Sequence, residues 1–96
     1  MSNSDKKNTR MYEAILSLKD LEECREFFED VCSMSELHAM EQRFDVAGML
    51  HEEKVYTEIM KETGASSATV SRVKRMLFYG TGCLKRILER MDAKKE

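Results

Sequence analysis

Short hydroxyl side chains and basic side chains cluster in residues 56–75, in a pattern that favours binding to DNA. An amphipathic segment leads to Gly64, where glycine can adopt the positive φ of a helix C-terminus. A second helix should begin behind Ser66 or Ser67, because serine hydroxyls cap helix N-termini. Two helices joined by a short turn that contains glycine form the helix-turn-helix, which places its second helix in the major groove.

The second helix of this motif has two distinct faces. Val70, Val73 and Leu77 follow one another at steps of three and four residues, the spacing of an apolar helix face. The other side chains are small or basic, so that face can approach base edges closely. We predict contacts in the groove from the short side chains Ser66, Ser67, Ala68, Thr69 and Ser71. We predict phosphate contacts from the basic side chains Lys61, Arg72, Lys74 and Arg75.

Some of these assignments have alternatives. Tyr56 and Thr57, at the start of the first helix, are predicted to touch the DNA backbone there. Thr69 could instead hydrogen-bond to its own helix backbone. The whole segment could also be a pair of amphipathic helices joined at a glycine, since many such pairs never bind DNA.

The charge distribution favours DNA binding over that last alternative. The chain of 96 residues has a formal net charge of −2, which argues against indiscriminate binding to nucleic acids. Residues 1–60 carry seven basic and fourteen acidic side chains, whereas residues 61–90 carry seven basic and two acidic ones. The positive charge therefore surrounds the predicted recognition helix, where phosphate contacts would be made.

A resemblance to the trp repressor superfamily covers about residues 10–90. Residues 64–72, Gly-Ala-Ser-Ser-Ala-Thr-Val-Ser-Arg, resemble its turn and recognition helix, and residues 56–59, Tyr-Thr-Glu-Ile, are most similar to its YerC/YecD-type branch. Residues 33–36 and 41–44 resemble the helix that leads to the motif. The resemblance implies an all-α, six-helix fold with a helix-turn-helix, an intertwined homodimer, and a cytoplasmic bacterial regulator that represses transcription by binding double-stranded DNA.

The resemblance also implies a candidate effector pocket. In the family member that binds tryptophan, the indole lies between two arginines, whose counterparts here are Arg43 and Arg72. The glycine that makes room for the ligand is replaced by Val73, whose branched side chain would fill that space. We predict no cofactor and no response to tryptophan, and the existence of another effector stays open. The arginines would then pair with acids such as Glu41 or Asp45, or face DNA.

Apolar spacing and capping residues predict six helices. The first covers about residues 10–18, and the second begins after Asp20 and ends near Cys32. The third begins at Ser33 and ends near His51, the fourth and fifth form the motif, and the sixth follows the break at residues 80–82. The chain is thus predicted to have a flexible N-terminal arm (1–9), one helix-turn-helix domain (10–92) and a C-terminal tail (93–96).

Other classes of site are not predicted. No apolar run is long enough to span a bilayer, so no membrane association is expected. Cys24, Cys32 and Cys83 form no Cys-x-x-Cys pair, which favours free thiols in a reducing cytoplasm. His38 and His51 lack the spacing of metal ligands or of a catalytic group, so neither a metal site nor an enzyme is expected.

The N-terminal helices have a larger apolar face than a short chain can readily bury. Leu21, Phe27, Phe28 and Val31 would pack against a second copy, which favours a homodimer over a monomeric helical bundle. A different class of function also remains open at this point. The acidic N-terminal helices could serve a helical protein-interaction module with a basic partner.

Overall fold

The computed structural model describes the backbone of residues 3–95 and the side chains of residues 8–94. The described chain is all α-helical, as predicted, and contains no strand. None of its helices is long and apolar enough to cross a membrane. The helices are α1 (Asn3–Leu16), α2 (Leu21–Val31), α3 (Met34–His51), α4 (Tyr56–Thr63), α5 (Ser67–Tyr79) and α6 (Cys83–Lys95).

The ends of the chain differ from the prediction. Helix α1 begins at Asn3 rather than near Arg10 and ends at Leu16 rather than Leu18, so residues 3–9 of the predicted arm are helical. The prediction relied on apolar spacing, which residues 3–9 lack, yet this segment also has no proline or glycine to interrupt a helix. Helix α6 likewise extends into the predicted tail. Residues 1, 2 and 96 lie outside the described residues.

Capping residues define the starts of α2 and α3 as predicted. The Asp20 carboxylate accepts a hydrogen bond from the Glu23 N–H at 2.8 Å. At α3 the bonds are reciprocal, because the Ser33 hydroxyl accepts from the Glu36 N–H at 3.2 Å and the Glu36 carboxylate accepts from the Ser33 N–H at 2.8 Å. This capping box satisfies N–H groups that have no partner within the helix, and it lowers the pKa of Glu36.

The described residues fall into two compact units that divide after Leu37. The first unit contains α1, α2 and the first turn of α3, and no described side chain in it is buried. Phe27 and Phe28 meet edge to face there, with ring centroids 5.2 Å apart. This unit therefore has no interior of its own.

The second unit contains the rest of α3 and helices α4 to α6, and it holds the hydrophobic core. Helices α4 and α5 pack directly on each other, and α6 packs on α5. The core lies between these helices and packs against the apolar face of α5, opposite the face that carries the predicted contacts. Its members are Val46, Ala47, Leu50, Ile59, Ala65, Val70, Val73, Leu77 and Leu88.

Candidate nucleic-acid interface

Glycine ends the first helix of the helix-turn-helix. Gly64 has φ 74° and ψ 5°, the left-handed conformation, and its N–H donates to the Met60 carbonyl at 2.9 Å. A residue with a Cβ is strained at such a φ, and glycine is not. Three residues, 64–66, separate α4 from α5. The predicted turn is confirmed in its position and its length.

Side chains from two helices hold the turn in place. The Thr63 hydroxyl donates to the Ile59 carbonyl at 2.7 Å and accepts from the Ala65 N–H at 3.1 Å. The side-chain amide of Gln42, on α3, donates to the Thr63 carbonyl at 3.1 Å. These bonds satisfy polar groups at the end of α4, so the turn is tied to α3 and α5 leaves it in a defined direction.

Ser66 is the residue that caps α5. Its hydroxyl oxygen accepts from the Thr69 N–H at 3.1 Å, and its O–H donates to the Thr69 hydroxyl, also at 3.1 Å. Among the described residues, the Thr69 hydroxyl forms no hydrogen bond to its own helix backbone, which was the alternative prediction. Both hydroxyls are engaged at the helix start, so Ser66 and Thr69 are less free than Ser67 to turn toward a base.

Helix α5 separates its apolar and polar side chains as the spacing predicts. Val70 and Val73 are fully buried and Leu77 is nearly so. Thr69 is half-buried at the boundary between the two faces. The apolar face anchors α5 on the core, and the polar face is open to solvent. The exposed members of the predicted contact set on α5 are Ser67, Ala68, Ser71, Arg72, Lys74 and Arg75.

The remaining predicted contacts belong to α4. Thr57 and Lys61 are exposed, whereas Tyr56, the first residue of the helix, is half-buried against the core. The Lys74 ammonium lies 5.8 Å from the centroid of the Tyr56 ring. Val55 caps α4 without any side-chain hydrogen bond, as its apolar side chain requires.

Among the described residues, no carboxylate pairs with the basic side chains of α5. The ion pair that is present joins Lys54 to Glu58 at 3.3 Å, and His51 Nε2 lies 3.3 Å from an Asp92 carboxylate oxygen. The hydrogen bond from Lys54 to Glu58 raises the pKa of Lys54. This lysine lies just before α4 and was not among the predicted contacts, and its charge is offset by its partner. The basic residues of α5 have no such partner in the part of the chain that the structure describes, so they are available to phosphates.

The candidate effector residues differ in exposure, and one of them lies in the core. Arg43 is half-buried on α3 and Arg72 is exposed on α5. Neither forms an ion pair among the described residues, so the expected pairing with Glu41 or Asp45 is not present. The side chain of Val73 has no exposed surface and belongs to the core. The space that the resemblance assigns to an indole would therefore coincide with a packed core side chain.

A cavity of about 360 Å³ in the second unit was missed by the sequence analysis. It lies among α3, the end of α4 and α6, and both apolar and acidic side chains line it. His51 lines it beside its partner Asp92, although the sequence marked this histidine only as a helix end. No sequence signal joins these residues, because three separate helices contribute them. The apolar side chains are Phe44, Met49, Leu88 and Met91, and the acidic ones are Asp45, Glu52, Glu62 and Asp92.

Comparisons with known proteins extend over nearly the whole chain. Residues 6–92 match the family model described as Trp repressor protein. The uncharacterised protein YerC of Bacillus subtilis is 50% identical over 82 residues, which cover 85% of this chain and 79% of that protein. The crystal structure of a TrpR-like protein from Eubacterium eligens has a TM-score of 0.84 and 51% identity, and the match covers 86% of each chain. A Staphylococcus aureus structure assigned as a Trp repressor also has a TM-score of 0.84, with 39% identity over 96% of this chain and 89% of that one.

Proposed function

We propose, since this chain belongs to the Trp repressor family of DNA-binding regulators, that it represses transcription by binding a specific DNA sequence as a homodimer. One observation carries the proposal. Helix α5 is anchored by a buried apolar face and presents an opposite face of short polar side chains and of basic side chains without an ion-pair partner among the described residues. Family membership favours a regulatory role over catalysis, and it does not favour the protein-interaction module.

The side chains of α5 divide the work of binding between bases and phosphates. Ser67, Ala68 and Ser71 are short, so the helix can lie deep in the major groove and meet base edges through methyl groups, hydroxyls or bridging water. Arg72, with its neighbouring basic residues, supplies charge for the phosphates on either side. A protein seated in this way over a promoter would exclude RNA polymerase, and this occlusion is the proposed mechanism of repression.

The exposed apolar surface of the first unit supports a homodimer. Leu16 is 85% exposed, Leu21 76% and Met34 59%, all within a short stretch of chain. A monomer seldom leaves so much apolar surface in water, and a second copy would cover it. Paired recognition helices would then read two half-sites about one turn of DNA apart, roughly 34–36 Å.

Tryptophan is not the proposed effector. The buried Val73 side chain supports this part of the proposal, because an indole would have to displace packed core atoms. We propose that the protein binds its operator without tryptophan, in the cytoplasm, and without a cofactor.

Selection of bound sequences from a random pool of DNA duplexes, with and without tryptophan, tests the proposal. An enriched palindrome whose half-sites lie about one turn apart, found equally in both conditions, is the expected result. Enrichment only with tryptophan would refute the effector proposal. No enrichment in either condition would refute sequence-specific binding.

Variants then test which face binds. We expect Arg72→Ala/Lys74→Ala to weaken binding of the selected duplex and to lower the slope of log affinity against log salt by about two, one for each phosphate that is no longer neutralised. Lys94→Ala removes the same kind of charge from the end of α6 and should leave both quantities near the wild-type values. Equal effects of the two changes would show that α5 is not the binding face.

A further inference from the structure

One basic side chain of the recognition helix differs from the others in its surroundings. The Lys74 ammonium lies 5.8 Å from the centroid of the Tyr56 ring, within the range of a cation–π interaction. Lys74 is exposed and has no carboxylate partner among the described residues. Arg72 and Arg75 have no aromatic partner there. The Tyr56 ring on α4 therefore interacts with one basic side chain of α5, that of Lys74.

The two partners differ in mobility. Tyr56 is half-buried and packs on the core, so its ring has a fixed place at the start of α4. Lysine has a long flexible side chain, and an exposed lysine loses much conformational entropy when it is held in one position. A fixed aromatic surface lowers that cost in advance, because the ammonium already favours the region over the ring before any ligand arrives.

We propose that Tyr56 is a positioning residue, which holds the Lys74 ammonium at the edge of the recognition helix so that α4 and α5 together present one phosphate contact. This inference rests on the proposed DNA-binding function. The ring acts through Lys74 and contributes no base contact. The role given to Tyr56 from the sequence, direct contact with the DNA backbone, is thereby replaced by an indirect one that requires the aromatic ring and not the hydroxyl.

The affinity of the selected duplex, measured at several salt concentrations, separates these roles. Tyr56→Phe keeps the ring and should bind as the wild type does. Tyr56→Leu keeps apolar bulk but removes the ring, and it should weaken binding about two- to fivefold, because the cost of ordering the lysine side chain then falls on DNA binding. Lys74→Met removes the charge and should lower the salt slope by about one.

The double variant decides whether the tyrosine acts through the lysine. In the Lys74→Met background, Tyr56→Leu should have no further effect on affinity, because the charge that the ring positions is absent. Lys61 has no aromatic partner among the described residues, so Lys61→Met is the matched control. In that background Tyr56→Leu should keep its full two- to fivefold effect on affinity. An equal effect of Tyr56→Leu in both backgrounds, or an equal loss in Tyr56→Phe, would overturn the proposal.

A second measurement needs no DNA. In the free protein, the ε-methylene protons of Lys74 should show an NMR ring-current shift that persists in Tyr56→Phe and disappears in Tyr56→Leu. The absence of such a shift in the wild type would overturn the pairing itself. If the wild type shows the ring-current shift but binds no DNA, the proposed function is refuted, and the positioning role with it. The pairing of Tyr56 with Lys74 would then still stand. The two failures are therefore distinguishable.

Discussion

Replacing Val73 by alanine should destabilise the protein measurably, because the valine side chain is buried in the core. The same side chain is the one proposed to exclude tryptophan. Val73 has no exposed surface and lies in the core with Val70, Ile59 and Leu77. Val73→Ala removes two methyl groups from that interior. The change introduces no polar group and keeps a residue that is favourable in a helix.

The size of the effect follows from burial. Two buried methyl groups are worth about 1.6 kcal/mol at roughly 0.8 kcal/mol each. A void of about 50 Å³ would add roughly 1.2 kcal/mol if the neighbours did not relax. Alanine forms helix better than valine by about 0.5 kcal/mol. We therefore expect Val73→Ala to lower the free energy of unfolding by about 2–2.5 kcal/mol.

Urea denaturation followed by circular dichroism measures this quantity. Ser71→Ala, on the exposed side of the same helix, is the matched control and should change the free energy of unfolding by less than about 0.5 kcal/mol. All variants have to be compared at one protein concentration, because the proposed homodimer would make the apparent stability depend on concentration.

Two results would contradict the argument about this site. A cost below about 1 kcal/mol for Val73→Ala would mean that the side chain is not tightly packed, so its space could admit a ligand. A rise in the melting temperature of the wild type with added tryptophan would show binding directly. Val73→Gly, which removes the whole side chain, is the variant in which tryptophan should raise the melting temperature if the filled space alone prevents binding.

Three further predictions concern helix ends, two of them at the turn before α5 and one at the start of α3. Ser66→Ala removes the cap of α5 and should lower the free energy of unfolding by about 1 kcal/mol in urea denaturation, whereas Ser66→Asp should keep most of the stability; equal losses would contradict the capping role. Gly64→Ala should lower the free energy of unfolding by about 1–2 kcal/mol in the same assay, because a residue with a Cβ is strained at a φ of 74°. Collision is not the cause, since the nearest heavy atom to an added Cβ, Gln42 Nε2, is 4.0 Å away. An unchanged denaturation midpoint would contradict this prediction. The hydrogen bond from the Ser33 N–H lowers the pKa of Glu36, so the contribution of this carboxylate to stability is present above the unfolded pKa and is lost as pH falls through the lower folded pKa. Glu36→Gln should therefore reduce the loss of stability in acid titrations. An unchanged pH profile of the unfolding free energy would contradict the assignment.

The helix-turn-helix was predictable from sequence because its determinants are local. Gly64 supplies the conformation that ends α4, and Ser66 accepts a bond from an N–H only three residues further on. The faces of α5 follow from a helical period that is written in the chain. The same reasoning failed for α1, since residues 3–9 form a helix without the apolar spacing that the prediction required.

The sequence by itself determined the all-α class, the caps, the turn and the outward side chains of α5, because each depends on residues only a few positions apart. The tertiary structure alone decided how Gln42 ties the turn to α3, how Tyr56 meets Lys74, and how three helices enclose an acidic cavity. These features join residues that are distant in the chain. Their distances depend on how the helices pack, which neither local propensity nor helical periodicity specifies.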